Sequence, residues 1–462
     1  MTHTSTRAGG RHHATTSTVL APPAPESTAG PAAHHIRRAF LILLPALGSL
    51  GMSATPSLTP SLFPNFYWLL VALALLPAMV LLARWSPRQA ATPAALLVVA
   101  LVWVVWAPLT TLWAPDQGAA SQKVWFMSLA IGGALCLLGL SGGHPDNLHA
   151  MRRGWVVGFC ITSAVAIWEL ATRQHLIEGP WSLTGDYLVT STFYNPNNYA
   201  GYLLACLPYL VWSAIAARSS PARYVHVPLL MLWFVLAVAT QSRTVLLGSL
   251  IALPLVVFWL VRAALLRARP FTISAIHIAI AAGIVLWAFA GTGPGQQLIA
   301  DYKSPFTADP DTVYSDDARL NLTRVAWRIF IESHGIGRGA AAFESIASQE
   351  RILEVGGLVD AHNSLLELAA EFGLPLLLPL LAVFVVACRT ALFVRVPPAA
   401  RGAAFDLRMV ILLSVIGTGA TSLASSSVLT WPWWWLMLGQ IAALGWLLQR
   451  HAAEAAQPAA RR

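Results

Sequence analysis

Apolar residues run in near-continuous stretches of about 20 along most of the chain, separated by short polar turns and without the period-2 alternation of half-buried strands. Such runs read as membrane-spanning helices. Lipid offers no partner to a backbone N–H or C=O, and only a helix satisfies both within one segment. The expected spans are 39–52, 64–83, 93–113, 122–140, 153–172, 197–217, 224–240, 244–261, 271–290, 374–394, 409–426 and 431–448. The pattern predicts an all-α polytopic membrane protein of about 12 transmembrane helices, with a large loop between the ninth and tenth. It divides the chain into a tail (1–38), nine spans (39–290), a loop with short helices (291–373), three spans (374–448) and a second tail (449–462).

Composition supports lipid as the main solvent: 56% of the 462 residues are hydrophobic, 11% are charged, and the mean hydropathy is +0.63. The first 36 residues are rich in Thr, Ser, Ala, Pro, Gly and His without apolar periodicity, which predicts a disordered tail. The run that follows Arg37 and Arg38 is short enough to suggest a signal peptide, but its depth in the chain and the spans behind it favour a retained first helix. Cys136, Cys160, Cys206 and Cys388 all sit in apolar runs, a pattern suited to neither a disulfide framework nor a zinc site.

The net charge of +9 is scattered between spans rather than gathered on one stripe, so it argues for topology and against nucleic acid as a partner. Arg84 and Arg88, Arg152 and Arg153, Arg218 and Arg223, Arg262 with Arg267 and Arg269, and Arg395 with Arg401 and Arg408 all fall on the side of both tails. By the positive-inside rule that side is the cytoplasm. Trp103, Trp106, Trp113 and the group Trp431, Trp433, Trp434 and Trp435 are at span ends and read as anchors in the headgroup zone.

Candidate chemistry collects on the opposite side. Arg243 lies in the tight turn Thr240-Gln241-Ser242-Arg243-Thr244, where its guanidinium either grips an anion such as phosphate or snorkels to lipid headgroups. The large loop carries Lys303, Arg319, Arg324, Arg328, Arg338 and Arg351, part of which is solvated surface. His362 stands at the membrane rim in Asp360-Ala361-His362-Asn363-Ser364, as a structural residue or as a proton carrier. Glu367 and Glu371, one helical turn apart, either orient His362 or face the loop. Asn195, Asn197 and their neighbours surround Pro196 at a helix start, which fits a cap or hydrogen bonding to sugar hydroxyls or pyrophosphate.

Together these residues resemble the O-antigen ligase and O-antigen polymerase superfamily of bacterial membrane glycosyltransferases. The resemblance rests on Asn195-Pro196-Asn197, Arg243 with Leu247 four residues on, Arg319 followed by Trp327 and the Gly337, Gly339, Phe343 series, and His362-Asn363 with Gly373 downstream. Leu376 departs from the ligases, which often carry Gly, Thr or Tyr three residues after that glycine. The resemblance implies a multi-pass protein of the bacterial inner membrane with its active site facing the periplasm. It implies inverting, metal-independent transfer of a glycan from undecaprenyl pyrophosphate to a hydroxyl of the lipid A core, with no cofactor. In its terms His362 is the general base, Arg243 and Arg319 hold the pyrophosphate, and Arg324, Asn195, Asn197 and Asn363 bind substrate. Sister activities are O-antigen or exopolysaccharide polymerisation and glycan transfer to protein. A multi-span transporter is the competing class, against which stand span centres nearly free of ionisable residues and the lack of a visible internal repeat.

Overall fold

The computed structural model describes residues 30–50, 65–84, 90–177, 188–193, 195–217, 220–267, 296, 314–349, 362–424 and 428–456. Thirteen helices longer than one turn follow in order: α1 (Pro31–Gly48), α2 (Asn65–Ala83), α3 (Ala91–Thr110), α4 (Gln117–Ser141), α5 (Pro145–Thr172), α6 (Pro196–Ala216), α7 (Ser220–Ala239), α8 (Arg243–Arg267), α9 (Tyr314–Glu332), α10 (Ala342–Gln349), α11 (Ser364–Phe393), α12 (Arg401–Ala424) and α13 (Pro432–Ala456). Among the described residues there is no strand. The fold is an all-α polytopic membrane fold in which, among the described residues, eight helices are long and apolar enough to cross a bilayer. Eleven of the expected spans overlap α1–α8 and α11–α13, the ninth, 271–290, lies outside the described residues, and the count of 12 is not established.

Local chemistry sets the boundaries. Pro31, Pro145 and Pro196 occupy the first turns of α1, α5 and α6, where a missing N–H costs nothing. Asp116 caps α4 by accepting from the Ala119 N–H (3.0 Å), and Gly142 closes that helix in the left-handed conformation. Because Pro31 starts it, α1 begins ahead of residue 39, and Arg37 lies inside the helix with its Nε donating to Leu140 O at the C-terminal end of α4. Likewise α5 begins before residue 153 and α11 before residue 374, since each span continues into polar turns that hydropathy alone does not assign to a helix.

α6 and α13 form the interior. Nearly all of α6 is buried; α4 packs on α13 and α2, α12 on α6 and α8, α3 on α11, and α1 on α5. Close crossings depend on small residues, as expected where helices associate by backbone approach rather than hydrophobic driving force. A Cβ on Gly139 would stand 2.5 Å from Ala78 O, and one on Gly439 2.5 Å from Ala134 O. The outward side chains include Leu101, Val104, Leu250 and Val385, all at least 65% exposed, which suits a lipid-facing surface.

The tryptophans correct the sequence reading. Trp433, Trp434 and Trp435 are fully buried and Trp431 nearly so; they are core residues, not headgroup anchors. Their ring N–H groups explain how this is tolerated in part: Trp434 Nε1 donates to Ser422 Oγ (3.1 Å) and Trp435 Nε1 to Leu429 O (2.7 Å). Trp103 is buried as well, with Nε1 donating to Ser128 Oγ (2.8 Å).

Candidate active site

Contacts among the described residues link the starts of α6, α8, α11 and α13, and α4 joins the first turns of α11. Glu169, fully buried near the end of α5, organises the first. Its carboxylate accepts from Thr190 N (3.0 Å), Ser191 N (2.7 Å) and Thr190 Oγ1 (3.2 Å), with His175 Nδ1 at 3.5 Å. Ser191 Oγ donates in turn to Thr162 O (2.6 Å), so the segment ahead of α6 is fixed by the Glu169 side chain and the Thr162 carbonyl of α5. This arrangement holds Asn195, whose Oδ1 accepts from Asn197 N (2.8 Å) as the N-cap of α6.

Asn197 connects this segment to the next. Its Oδ1 accepts from Ser242 Oγ (2.7 Å) in the turn between α7 and α8, immediately before Arg243. Arg243 is the first residue of α8 and Arg319 lies within α9; the side chains of both fall outside the described residues. Asn198, 1% exposed beside Asn197, has neither amide atom in a hydrogen bond among the described residues. A buried, unpaired carboxamide is costly and rare in a finished core, and it suits a position that a ligand completes.

A stacked aromatic set carries the contacts onward. Phe193 lies against Tyr199 (5.7 Å between centroids), Tyr202 (5.2 Å) and Trp431 (5.4 Å). Val428, which accepts from the Trp431 N–H, donates its own N–H to Ser364 Oγ (3.1 Å) in the first turn of α11. The segment at Asn195 and the segment at His362 thus belong to one continuous set of contacts.

His362 is 5% exposed and has φ 49°, a left-handed backbone uncommon for a residue with a Cβ. Asn363 caps α11, its Oδ1 accepting from Leu366 N (3.1 Å), so that side-chain oxygen has a structural task. Arg324 is exposed on α9 and donates to Asn321 Oδ1 (3.3 Å), one turn back on the same helix.

The feature that sequence reasoning missed is Lys123. It projects from α4 between Glu367 and Glu371 of α11, with Nζ 2.6 Å from Glu367 Oε1 and 2.8 Å from Glu371 Oε1. All three are at most 5% exposed, and the partly exposed Glu344 of α10 approaches Nζ at 3.6 Å. Glu367 and Glu371 therefore neither stand alone on the loop side nor merely flank His362; they tie its helix to α4. The signal was present: a solitary lysine in the first turns of an apolar span, and two glutamates four residues apart at the start of another.

Glycines of the recognised series prove structural. α11 breaks at Gly373 (φ 70°, ψ −167°), a conformation essentially reserved for glycine. The backbone groups released there are taken up by the 335–339 turn: Leu374 N donates to Gly335 O (2.8 Å), Arg338 N to Ala370 O (2.8 Å) and Gly339 N to Glu371 O (3.0 Å). A Cβ on Gly337 would overlap Glu371 O, and one on Gly339 would lie 2.6 Å from Ala114 Cα. Trp113 and Trp106 complete the joint, donating to Gly337 O (3.1 Å) and Phe372 O (2.7 Å). The joint sets the turn between α9 and α10 against Trp113 and Ala114, between α3 and α4.

The likeness to known proteins falls on this same region. Residues 228–381 match the family model described as O-antigen ligase, a stretch that contains Arg243, Arg319, His362 and the Gly337–Gly373 joint. The chain is 23% identical over 292 residues to the teichuronic acid biosynthesis protein TuaE of Bacillus subtilis (strain 168), a match that covers 61% of this chain and 57% of that protein. The chain thus spans little more than half the length of that curated relative. The similarity to the O-antigen ligase-like superfamily read from the motifs holds.

Proposed function

We propose that this protein is a glycosyltransferase of cell-surface polysaccharide biosynthesis that moves a glycan from undecaprenyl pyrophosphate to a hydroxyl acceptor, in the ligase reading a hydroxyl of the lipid A core. The observation that carries the proposal is the meeting, at one end of the bundle, of the Asn195–Asn198 segment, the Ser242–Arg243 turn and the buried His362. The match of residues 228–381 to the O-antigen ligase family supports it. In this reading that end faces the periplasm, and the protein sits in the inner membrane with the loop 291–373 outside.

The chemistry requires three services. The imidazole of His362 takes the proton of the acceptor hydroxyl as its oxygen attacks the anomeric carbon; the bond from that carbon to the pyrophosphate oxygen breaks, and lipid pyrophosphate leaves with the bonding electrons. Arg243 and Arg319 stabilise the charge that develops on the leaving group, which two guanidinium forks do without a metal ion. Asn197 and Asn198 supply amide contacts to glycan or phosphate oxygen. A single displacement of this kind inverts the anomeric configuration.

A second reading has its own support. The teichuronic acid relative is named for the biosynthesis of a polysaccharide, which favours a growing glycan over lipid A core as the acceptor. Purified protein given an undecaprenyl pyrophosphate-linked glycan with lipid A core, with a peptide, or with no added acceptor separates these readings. Glycan on lipid A core marks a ligase, and lengthened lipid-linked glycan a polymerase. Modified peptide marks transfer to protein, and no product with any acceptor overturns the enzyme reading in favour of transport.

A further inference from the structure

α9 has two apolar faces. Leu322, Val325, Ala326 and Ile329 are at most 6% exposed and pack on Phe343, Ala347 and Ala370 of α10 and α11. At about 100° per residue, the opposite side of the helix carries Leu320, Trp327 and Ile331, which are 47%, 53% and 55% exposed. Arg324 stands between them and Arg328 alongside, both exposed. A helix over a water-washed loop needs only the first stripe.

The second stripe continues into the outer surface of the spans. Ile336, in the turn after α9, is 50% exposed. Leu374 lies against Gly335, where an added Cβ would come within 3.2 Å of its Cδ1. Leu374 is 40% exposed and opens the outward row Leu378, Leu381 and Val385 of α11, a surface that fits only hydrocarbon in a membrane-spanning helix. The apolar face of α9 is therefore the upper margin of a lipid-facing surface. Arg324 and Arg328, the latter also 3.9 Å from Glu332 Oε1 one turn on, place positive charge beside it that suits phosphate headgroups.

We propose that α9 is an interfacial helix seated on the bilayer, with Leu320, Trp327 and Ile331 at the boundary of headgroups and acyl chains and with Arg324 and Arg328 against lipid phosphates. Trp327 has the amphipathic ring that favours this depth. Its ring lies 5.5 Å from that of the partly buried Phe330, between centroids. The occupant of this face is the lipid surface, which sets the level of the whole Tyr314–Glu332 helix, and with it the Arg319 position, at the headgroups. The inference rests on the membrane fold and is independent of the transfer reaction.

Photo-crosslinking in lipid tests it. p-Benzoylphenylalanine is placed at position 327, 331, 378 or 326 of the full chain, which is reconstituted in vesicles of phosphatidylethanolamine and phosphatidylglycerol, illuminated and read by mass spectrometry. Positions 327, 331 and 378 should all give phospholipid adducts, and the buried position 326 none. Adducts at 378 alone would overturn the proposal, as would a crosslinked dimer at 327 in place of lipid, which would assign the face to a second copy. With Arg324→Gln and Arg328→Gln together, phosphatidylglycerol should fall to its share of the vesicle lipid among adducts at 327. An unchanged excess of that lipid would remove the arginines from the account.

Discussion

Lys123 and Glu371, 248 positions apart in sequence, meet at 2.8 Å in a site where neither is more than 5% exposed. Glu367 shares the same ammonium, so the buried group holds two carboxylates to one cation before the partly exposed Glu344 is counted. The bridge joins α4 to the part of α11 that follows His362 and precedes the break at Gly373.

That imbalance ranks the substitutions. Lys123→Gln leaves two buried carboxylates facing each other, and removing one partner of a buried pair costs about 3–5 kcal/mol. Glu371→Gln leaves a balanced Lys123–Glu367 pair. Thermal melts of purified protein should show a clear loss for Lys123→Gln and a smaller one for Glu371→Gln; the reverse order would show that the ammonium is not what holds the helices.

Gly373→Ala should lower stability by roughly 1–3 kcal/mol, because alanine resists a φ of 70° paired with a ψ of −167°. The added methyl would also press on Gly335 O and Ile336 of the turn that seals the break. Limited proteolysis should then cut faster between α9 and α10. Unchanged proteolysis and melting would show that the turn does not depend on the break.

Asn198 separates a binding role from a structural one. Its amide has no partner among the described residues, so Asn198→Leu, with the same number of side-chain heavy atoms, removes a buried polar group whose unpaired cost is about 1–3 kcal/mol. The melting temperature should stay level or rise while glycan transfer falls. A drop in melting with transfer intact would make Asn198 a packing residue.

Ser242→Ala removes the hydroxyl that donates to Asn197 Oδ1 and so the direct tie between the α6 and α8 entrances. The stability cost should be near 1 kcal/mol, while transfer suffers more through the displaced turn that carries Arg243. Transfer rate and melting temperature measured on one preparation check this; parallel small losses in both would confine Ser242 to stability.

The membrane fold was legible because a bilayer writes a coarse rule into sequence: long apolar runs, with basic residues biased to one side. Helix starts beyond those runs, such as Pro31 and Pro145, were not, since a helix that extends into polar turns has no hydropathy signature. Motif order marked Asn197, Arg243, Gly337 and His362 as a group. It did not reveal that the glycines form a joint between the 335–339 turn and the broken helix α11, because their need is set by backbone approach from more than 30 residues away. The same applies to Trp433–Trp435: span-end position suggests the headgroup zone, but α13 runs through the centre of the bundle, where its neighbours bury every face. The role of Lys123 is not legible in the sequence, because its partners lie on a distant helix and only the packed structure brings the charges together.

In the proposed reaction His362 removes the acceptor proton during glycan transfer. The most direct test of that role is the transfer of glycan from undecaprenyl pyrophosphate by the purified His362→Ala protein, with melting temperature and membrane abundance followed on the same variant. Transfer should be lost at unchanged melting and abundance, with a comparable loss in Arg243→Lys, whose ammonium does not reproduce a bidentate grip. Transfer by His362→Ala at the rate of the unaltered protein would contradict that role.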